Sequence, residues 1–522
     1  MINASAAYKA AAIADSRRTL VRATVDLVDP DIVYGAGASS GESDYSELAQ
    51  IHDDVFETSG VYATLERNRW TLDGTFDLAP PESGDEVGFE SSGLSDDDCD
   101  CNIYAELQFT GVSVLQAAAV YFSDADINGV PSDFTISIYD SSRSVLYTES
   151  FSDNTDSVIK IYGFTAANPT AIRVAVTKTS LPYRRLRIIE LVPGLFEIWG
   201  NGELAGFSIV NQVDFSAATL PYGTCQLVVD NSDKRFSPQN KSGLFLSLED
   251  RQEVKAYIGF AGAEYRPVGV YYQYSQGWNT SSSGLTMTWN LVDIIGLVAN
   301  KRFNVPPTLP MTLAGWIEEI LGQIGAAFTD RYTLDGVSGT TALETTSDKL
   351  EGVTCGELLL WICQKACCFP RASSENGYLT LSTLWSGGND YALDNLSALP
   401  VEAANADLAA FIFKLHNEIT GDYDYAVLTG NNASPNTISI DNPFITTTAE
   451  ANTTAAWISQ FYGGNTIELT GRGEPTTEAG DVISVELDNG DTEAARVKYH
   501  ALGIQNGVLA GCKVKGIVVT EA

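Results

Sequence analysis

The sequence predicts a mainly β, multidomain protein. It reads as an N-terminal β-sandwich or jelly roll, then two further β-rich regions with a small α+β unit inserted between them. Three observations carry this. Short runs of alternating apolar and polar residues recur along the chain, the period of a half-buried strand. Turn residues separate the runs about every 8–12 residues. Helical periodicity is confined to a few windows. At 522 residues the chain has room for about three or four domains.

The first 20 residues fit a short helix, and Thr19–Val28 alternates like a strand. Residues 29–46 are rich in Asp, Gly and Ser and read as a loop or linker. Structure resumes near "RNRWTLDG", Arg67–Gly74. From Asp73 to about Gly194 runs such as "AELQFTGVSV", "FTISIYD" and "AIRVAVTKT" follow one another, the pattern of a sandwich or jelly roll. A second β-rich region extends from about Phe196 to Asn300. In "TCQLVVDNSDKRFSPQN" a strand over Thr224–Asp230 breaks into turn chemistry.

Leu313, Trp316, Ile317, Ile320, Leu321 and Ile324 then share one helical face. Thr354 and Glu357 have capping-box spacing before an apolar run that ends near Ala366. A hairpin turning at Asn376-Gly377 follows, so 310–385 reads as an α+β unit. A third helix is placed at 449–461, stopped by Gly463-Gly464. The tail returns to strands, with turns at Asp488-Asn489-Gly490 and Gln505-Asn506-Gly507.

The chain carries 67 acids against 31 bases, a formal charge of −36. Direct nucleic-acid recognition needs a basic footprint and is not expected. A polybasic membrane-surface role is disfavoured for the same reason. No run approaches the length of a membrane span, and no signal peptide is read at the N-terminus. Eight cysteines scattered over this length do not make a disulfide scaffold, and synthesis in a reducing cytoplasm is expected.

Motifs for chemistry are scarce. His52, His416 and His500 are far apart and lie in no ligand spacing. Cys99 and Cys101, and Cys363, Cys367 and Cys368, do not match a zinc pattern; Cys363 and Cys367 read as buried thiols on an apolar helix. The nucleophile elbow, the phosphate-binding loop and the dinucleotide fingerprint are all missing. Asp124, Asp126, Asn128 and Gly129 match the first half of a calcium loop, but Thr135 stands where a bidentate acid belongs. A plain turn between strands is the preferred reading there. "SDDDCDCN", 95–102, reads as a solvated acidic loop. No catalytic, cofactor or metal residue is assigned, no cofactor is expected, and the chain is not expected to be an enzyme.

The turn after Thr224–Asp230 carries Asp230, Asn231, Asp233, Arg235, Phe236 and Pro238 in the order D/N-x-D-x-R-[FY]-x-P. With the following "VKAYIGF" it resembles the first barrel of phage tail hub (baseplate hub, tail-associated) proteins. Asn231 and Asp233 would cap the turn, and Phe236 would tuck over the barrel end. "TCGELLLWICQKACCFPRASSENGYLTL" is similar to the helix-then-hairpin of the hub insert. "ELTGRGEPTTEAGDVISVEL" is similar to the start of the second barrel, with Gly473, Pro475, Gly480 and Asp481 at its turn. The likeness covers about 196–522. Ahead of it, "VPSDFTISIYDSSRSVLYTESF" and "IRVAVTKTSLPYRRLRIIELVPG" resemble discoidin-like (F5/8 type C, galactose-binding-like) modules. Trp70, Tyr104, Tyr162 and Tyr183 are available to stack on a sugar, though a core or interface role is preferred for each.

The resemblance implies six segments: an N-terminal segment and linker (1–59), a discoidin-like β-sandwich (60–194), a first hub β-barrel (195–305), an α+β insert (306–395), a connecting domain with a helix (396–464) and a second hub β-barrel (465–522). It implies a structural tail-tip protein of a virion, made in the host bacterial cytoplasm, that forms a homotrimer with two barrels per copy. Implied partners are a distal tail or tail tube protein, the tape measure protein and tip or receptor-binding proteins. A host-surface glycan is a further candidate partner. The family places wall-degrading cargo after its barrels, and none is expected after "VTEA". The alternative is a carbohydrate-binding adhesin acting through the discoidin-like module; a third reading is a glycoside hydrolase with an accessory sugar module.

Overall fold

A computed structural model describes residues 2–14, 16–40, 48–53, 55–56, 87–123, 130–237, 239–240, 244–281, 283–304, 309–345, 347–383, 387–416, 421–429, 436–505, 508–509, 512–519. The chain is mainly β and has several sheets. It divides into two compact units: Met1–Val25 with Ile198–Asp233 and Glu253–Ala522, and Asp26–Glu197 with Lys234–Gln252.

The first unit is built on one continuous sheet that holds two strand sets. The first set begins at the N-terminus. Ser5 caps the helix Ala6–Ile13 by accepting from the Tyr8 amide at 3.1 Å. Thr19–Val25 then pairs antiparallel with Val254–Phe260. So residues that the sequence reading groups in an N-terminal segment are a strand of this set. Next come Tyr265–Thr280, Thr286–Val292, Thr224–Asp230 and Leu204–Gln212, each antiparallel to its neighbour. Tyr265–Thr280 turns a corner: its register jumps between Gln273 and Trp278, after which it follows a different stretch of the same partner.

The set curls on itself. The strand ending at Trp199 lies four steps from Thr286–Val292 in strand order. Flat neighbours at that separation would stand roughly 19 Å apart. Instead the Trp199 and Trp289 rings are 5.8 Å apart, both fully buried. Alternate residues Cys225, Leu227 and Val229 point into the same interior, as the sequence period predicts.

The second strand set also closes. Val482–Glu486, Thr492–Gln505, Cys512–Val518 and Asn465–Gly471 pair antiparallel in that order. Residues 390–404 bridge the gap between the outer two. Asp390 and Tyr391 run parallel to Ser484 and Val485, Leu396 bridges to Gly471, and Val401–Ala404 pairs with 465–468. Its core is small: Tyr391, Ile467, Leu469, Ile483, Val485, Ala495, Val497 and Val514.

Between the sets the chain forms the α+β region. Leu313–Gly322 buries the face predicted from its spacing, with Trp316, Ile317, Ile320 and Leu321 at 0% exposure. Cys355–Ala366 starts with the predicted capping box of Thr354 and Glu357. Phe369–Ala372 and Leu379–Ser382 form the predicted hairpin, with Gly377 at φ +73° in its turn. Thr448–Ser459 is the third helix, and Gly463 and Gly464 follow it with positive φ. One hydrophobic cluster holds all three helices together with Ala410–Leu415 and Phe461. Thus the stretches read as 306–395 and 396–464 share a core.

The second unit is a two-sheet sandwich. One sheet runs Val33–Tyr34, Asp100–Thr110, Ala171–Thr179, Pro131–Tyr139, Val145–Phe151; the other runs Phe89–Glu90, Arg187–Val192, Val114–Phe122, Val158–Ala167. All pairs are antiparallel. Phe122 of one sheet meets Phe134 of the other edge-on at 5.3 Å, in a core shared by both inner faces.

Trp316→Ala should test the α+β core. It removes a fully buried ring and the hydrogen bond from its Nε1 to the Leu343 carbonyl at 3.2 Å. The expected cost is about 3–5 kcal/mol, read from the midpoint of chemical denaturation.

Candidate functional site

The two strand sets meet along one ladder. Leu204–Gln212 is flanked on one side by Thr224–Asp230 and on the other by Thr492–Gln505. The second pairing runs from Gly206 opposite Gln505 to Gln212 opposite Tyr499. Phe207 and Ile209 bury one face of the strand. Its last residues, Asn211 and Gln212, are polar, and polar contacts gather there.

Asn211 stands opposite His500 in the ladder. Its Oδ1 accepts from the Tyr271 hydroxyl at 2.9 Å, and its Nδ2 donates to the Val268 carbonyl at 3.4 Å. Asp293 is buried beside it. One carboxylate oxygen accepts from the Gly223 amide at 2.5 Å, and the other caps helix Ile294–Ala299 through Gly296 at 2.9 Å. A Cβ on Gly223 would stand 2.8 Å from the Asp293 carboxylate and 3.1 Å from Asn211 Oδ1. Glycine is what lets these groups converge.

Burial dominates the electrostatics. It pushes the Asp293 carboxyl up to about 7, against its backbone hydrogen bonds. It pushes His500 down to about 4, although the ring donates to the Thr477 carbonyl and Glu478 is near. His500 Nε2 is buried with no hydrogen-bond partner. Arg331, from the α+β region, donates to Glu253 at 2.6 Å and to the Tyr272 hydroxyl at 3.2 Å, tying that region to the first strand set. Trp289 Nε1 donates to Gln273 at 2.7 Å at the corner of the long strand. Apart from His500 Nε2, these polar groups are held by backbone or by a neighbouring side chain.

In the turn after Thr224–Asp230, Asp230 accepts from the Ser232 amide at 3.1 Å and its hydroxyl at 2.9 Å. Asn231 donates to the Gly284 carbonyl at 3.1 Å. Phe236 is fully buried and belongs to residues 234–252, which group with the sandwich unit. Pro238 lies outside the described residues. In the second strand set Gly473 has φ +87°, and a Cβ there would stand 2.2 Å from Cys512 Sγ. Pro475 and Asp481 are buried, and Asp481 accepts from the Glu478 amide at 2.8 Å.

The histidines stay apart. His52 stacks on Tyr34 at 4.6 Å, and His416 sits between Asp441 at 2.7 Å and Asp422 at 3.2 Å. Among the described residues no three His, Cys, Asp or Glu side chains gather to hold a metal ion. Cys363 packs beside Cys368, and burial raises its thiol well above the ordinary range. Cys367 takes a left-handed cap position, with its thiol pushed up to about 11. These are poor nucleophiles at neutral pH. Cys99, Cys101 and Cys225 form no disulfide either. Asp124–Gly129 and Trp70 lie outside the described residues.

Two of the aromatics offered for sugar stacking lie on different sheets. Tyr104 is on one sheet of the sandwich and Tyr162 on the other. Tyr104 is covered by the Arg173 guanidinium at 4.4 Å. Arg173 and Arg143 both pair at 2.8 Å with Glu106, which is fully buried. Burial alone would raise that carboxyl, but hydrogen bonds from Arg143, Gln108 and Arg173 hold it below its usual range. Sequence reasoning missed this network, and it missed the Asn211–Tyr271–Asp293 group. Only Asp293 carried a local signal, as a helix cap ahead of "IIGLV". No described helix is long and apolar enough to cross a membrane.

No family model matches the chain, and no curated protein does. Among solved structures it is similar to the 43 kDa tail protein of prophage MuSo2 from Shewanella oneidensis: 16% identity, TM-score 0.40, covering 62% of this chain and 95% of that one. It is similar to a tail protein from Neisseria meningitidis MC58: 12% identity, TM-score 0.40, 62% and 93% covered. It is also similar to a fucose binding module of Streptococcus pneumoniae: 11% identity, TM-score 0.19, 30% and 88% covered.

The buried pair at the seam makes opposite demands on pH. His500 titrates near 4 when folded and near 6.5 when unfolded, so the unfolded chain gains the proton first as pH falls. Its share of stability is full above 6.5 and shrinks toward 4, by at most about 1.4 kcal/mol per pH unit. Asp293 titrates near 7 folded and near 3.8 unfolded, so its share shrinks as pH rises between those values. In melting temperature against pH, His500→Gln minus wild type should therefore climb toward acid. Asp293→Asn minus wild type should climb toward neutral.

Proposed function

We propose that this chain is a structural hub protein of a bacteriophage tail tip, assembled as a homotrimer. The observation that carries the reading is the seam. One chain supplies two curled strand sets, fused side by side through a single ladder. Three copies around an axis would supply six sets, the count that ends a sixfold tube without a symmetry break at each contact. The seam suits that role because a ring element must keep a fixed angle between its parts under load. Its buried and mutually bonded polar groups support such stiffness.

In this reading the hub organises the baseplate for host attachment and genome delivery. A distal tail or tail tube protein packs above it, the tape measure protein meets its opening, and tip or receptor-binding proteins attach outside. The sandwich unit is read as a discoidin-like module that joins subunits. A carbohydrate-binding adhesin is the second reading. Tyr162 favours it, being a strand residue left 54% exposed.

Light scattering of the purified full chain, with negative-stain images of the same sample, tests the proposal. A trimer mass and rings with a central opening are expected. A chain that stays monomeric at every concentration, and binds one sugar on a glycan array, would replace the hub reading by the adhesin.

A further inference from the structure

A cleft of about 570 Å³ opens beside the end of the seam, within the first unit. Gln212 lines it from the end of the seam strand and Asp214 from just beyond that end; Lys498, Lys513 and Lys515 line it from the second strand set; Phe461 lies at its side. Its charge is unusual for this chain, which has 67 acids and only 31 bases.

Asp214, which lines the cleft, and Glu468, which pairs with two of its lysines, are already engaged. Asp214 turns inward: Oδ1 accepts from the Ser216 amide at 3.0 Å and its hydroxyl at 2.6 Å, and Oδ2 accepts from the Thr219 amide at 2.9 Å and its hydroxyl at 2.7 Å. Glu468 is shared by two cations, Lys513 and, at 3.1 Å, Lys515. Lys498 meets no carboxylate among the described residues, and on the same strand Arg496 rests on the Phe461 ring at 5.6 Å. So the cleft lining carries three lysines against one carboxylate, Asp214, whose acceptor sites are filled, and the surplus is positive.

We propose that this cleft receives an acidic surface of a second copy of this chain; the inference rests on the homotrimer reading. At −36 a chain repels its own copies over most of its surface. A positive feature facing the acidic excess is where that repulsion turns to attraction. Such complementarity sets the register of a contact more than it sets its strength. The cleft adjoins the ladder that joins the two strand sets, so a copy seated there contacts the joint. Nucleic acid fits less well, because it needs an extended track of phosphate contacts, and these lysines sit in one short cleft.

The test uses the full chain. Assembly is followed by light scattering at low and high salt, for wild type and for Lys498→Glu and Lys498→Glu/Lys515→Glu. Circular dichroism and melting temperature check that the variants fold. The expected result is assembly that weakens with salt and is about tenfold weaker in Lys498→Glu. Carbodiimide coupling of mixed heavy- and light-isotope chains should then join Lys498, Lys513 or Lys515 of one copy to Asp or Glu of another. If the wild type assembles but neither Lys498→Glu nor salt alters it, and no such couplings form, the cleft inference fails and the hub reading stands. A wild type monomeric under every condition removes the hub reading, and the inference with it. Binding of labelled single-stranded DNA that Lys498→Glu abolishes, without copy-to-copy couplings, overturns the inference by giving the cleft a different occupant.

Discussion

The ladder between Gly206–Gln212 and Tyr499–Gln505 is the constraint on which the first unit depends. It is a backbone contact, so it does not hinge on any one side chain. Because Leu204–Gln212 has neighbours on both sides, neither strand set offers a free edge there. It also dictates where the intervening chain must leave and return. Val213, Phe215 and Ala217 follow the seam strand directly and enter the same hydrophobic cluster as Phe461 and Ala479, which precede the return strand. The α+β region is therefore anchored at its base by residues flanking the ladder. Closing so long a loop is slow and costs entropy, and contacts distant in sequence must repay it.

Polar burial at the seam follows from that geometry. Two curled sets joined edge to edge leave a strip where strand ends, a helix start and a turn converge. Backbone donors there, such as the amides of Gly223 and Gly296, would be costly if left dry and unpaired. Asp293 satisfies both. Asn211 accepts from Tyr271 on the neighbouring side. The cost of confining a carboxyl appears as its raised pKa, and the cost of confining His500 as a lowered one.

Local order was legible in the residues; long-range order was not. The strand at Thr224–Asp230, the face of Leu313–Gly322, the Thr354–Glu357 box and the Asn376-Gly377 hairpin all depend on neighbours within a few positions. The stop after Thr448–Ser459 likewise needs only two glycines. By contrast, nothing near Thr19–Val25 names Val254–Phe260 as its partner, since any alternating strand could pair with it. Asn231 illustrates the same limit. Its turn was read correctly from composition, yet its amide serves the Gly284 carbonyl, a group on another loop. The merging of 306–395 with 396–464 was hidden because an apolar face specifies burial and not which element covers it.

The Glu106 network bears on the choice between hub and adhesin. Tyr104, on the outward face of the sandwich, looked available for stacking on a sugar. It is instead paired with Arg173, whose guanidinium also bonds Glu106, while Arg143 bonds the same carboxylate and lies over Tyr139 at 5.1 Å. A sugar could take Tyr104 only by displacing the Arg173 guanidinium, breaking one of the two ion pairs that hold the fully buried Glu106 carboxylate. That face is therefore already committed to holding strands Asp100–Thr110, Pro131–Tyr139 and Ala171–Thr179 in place.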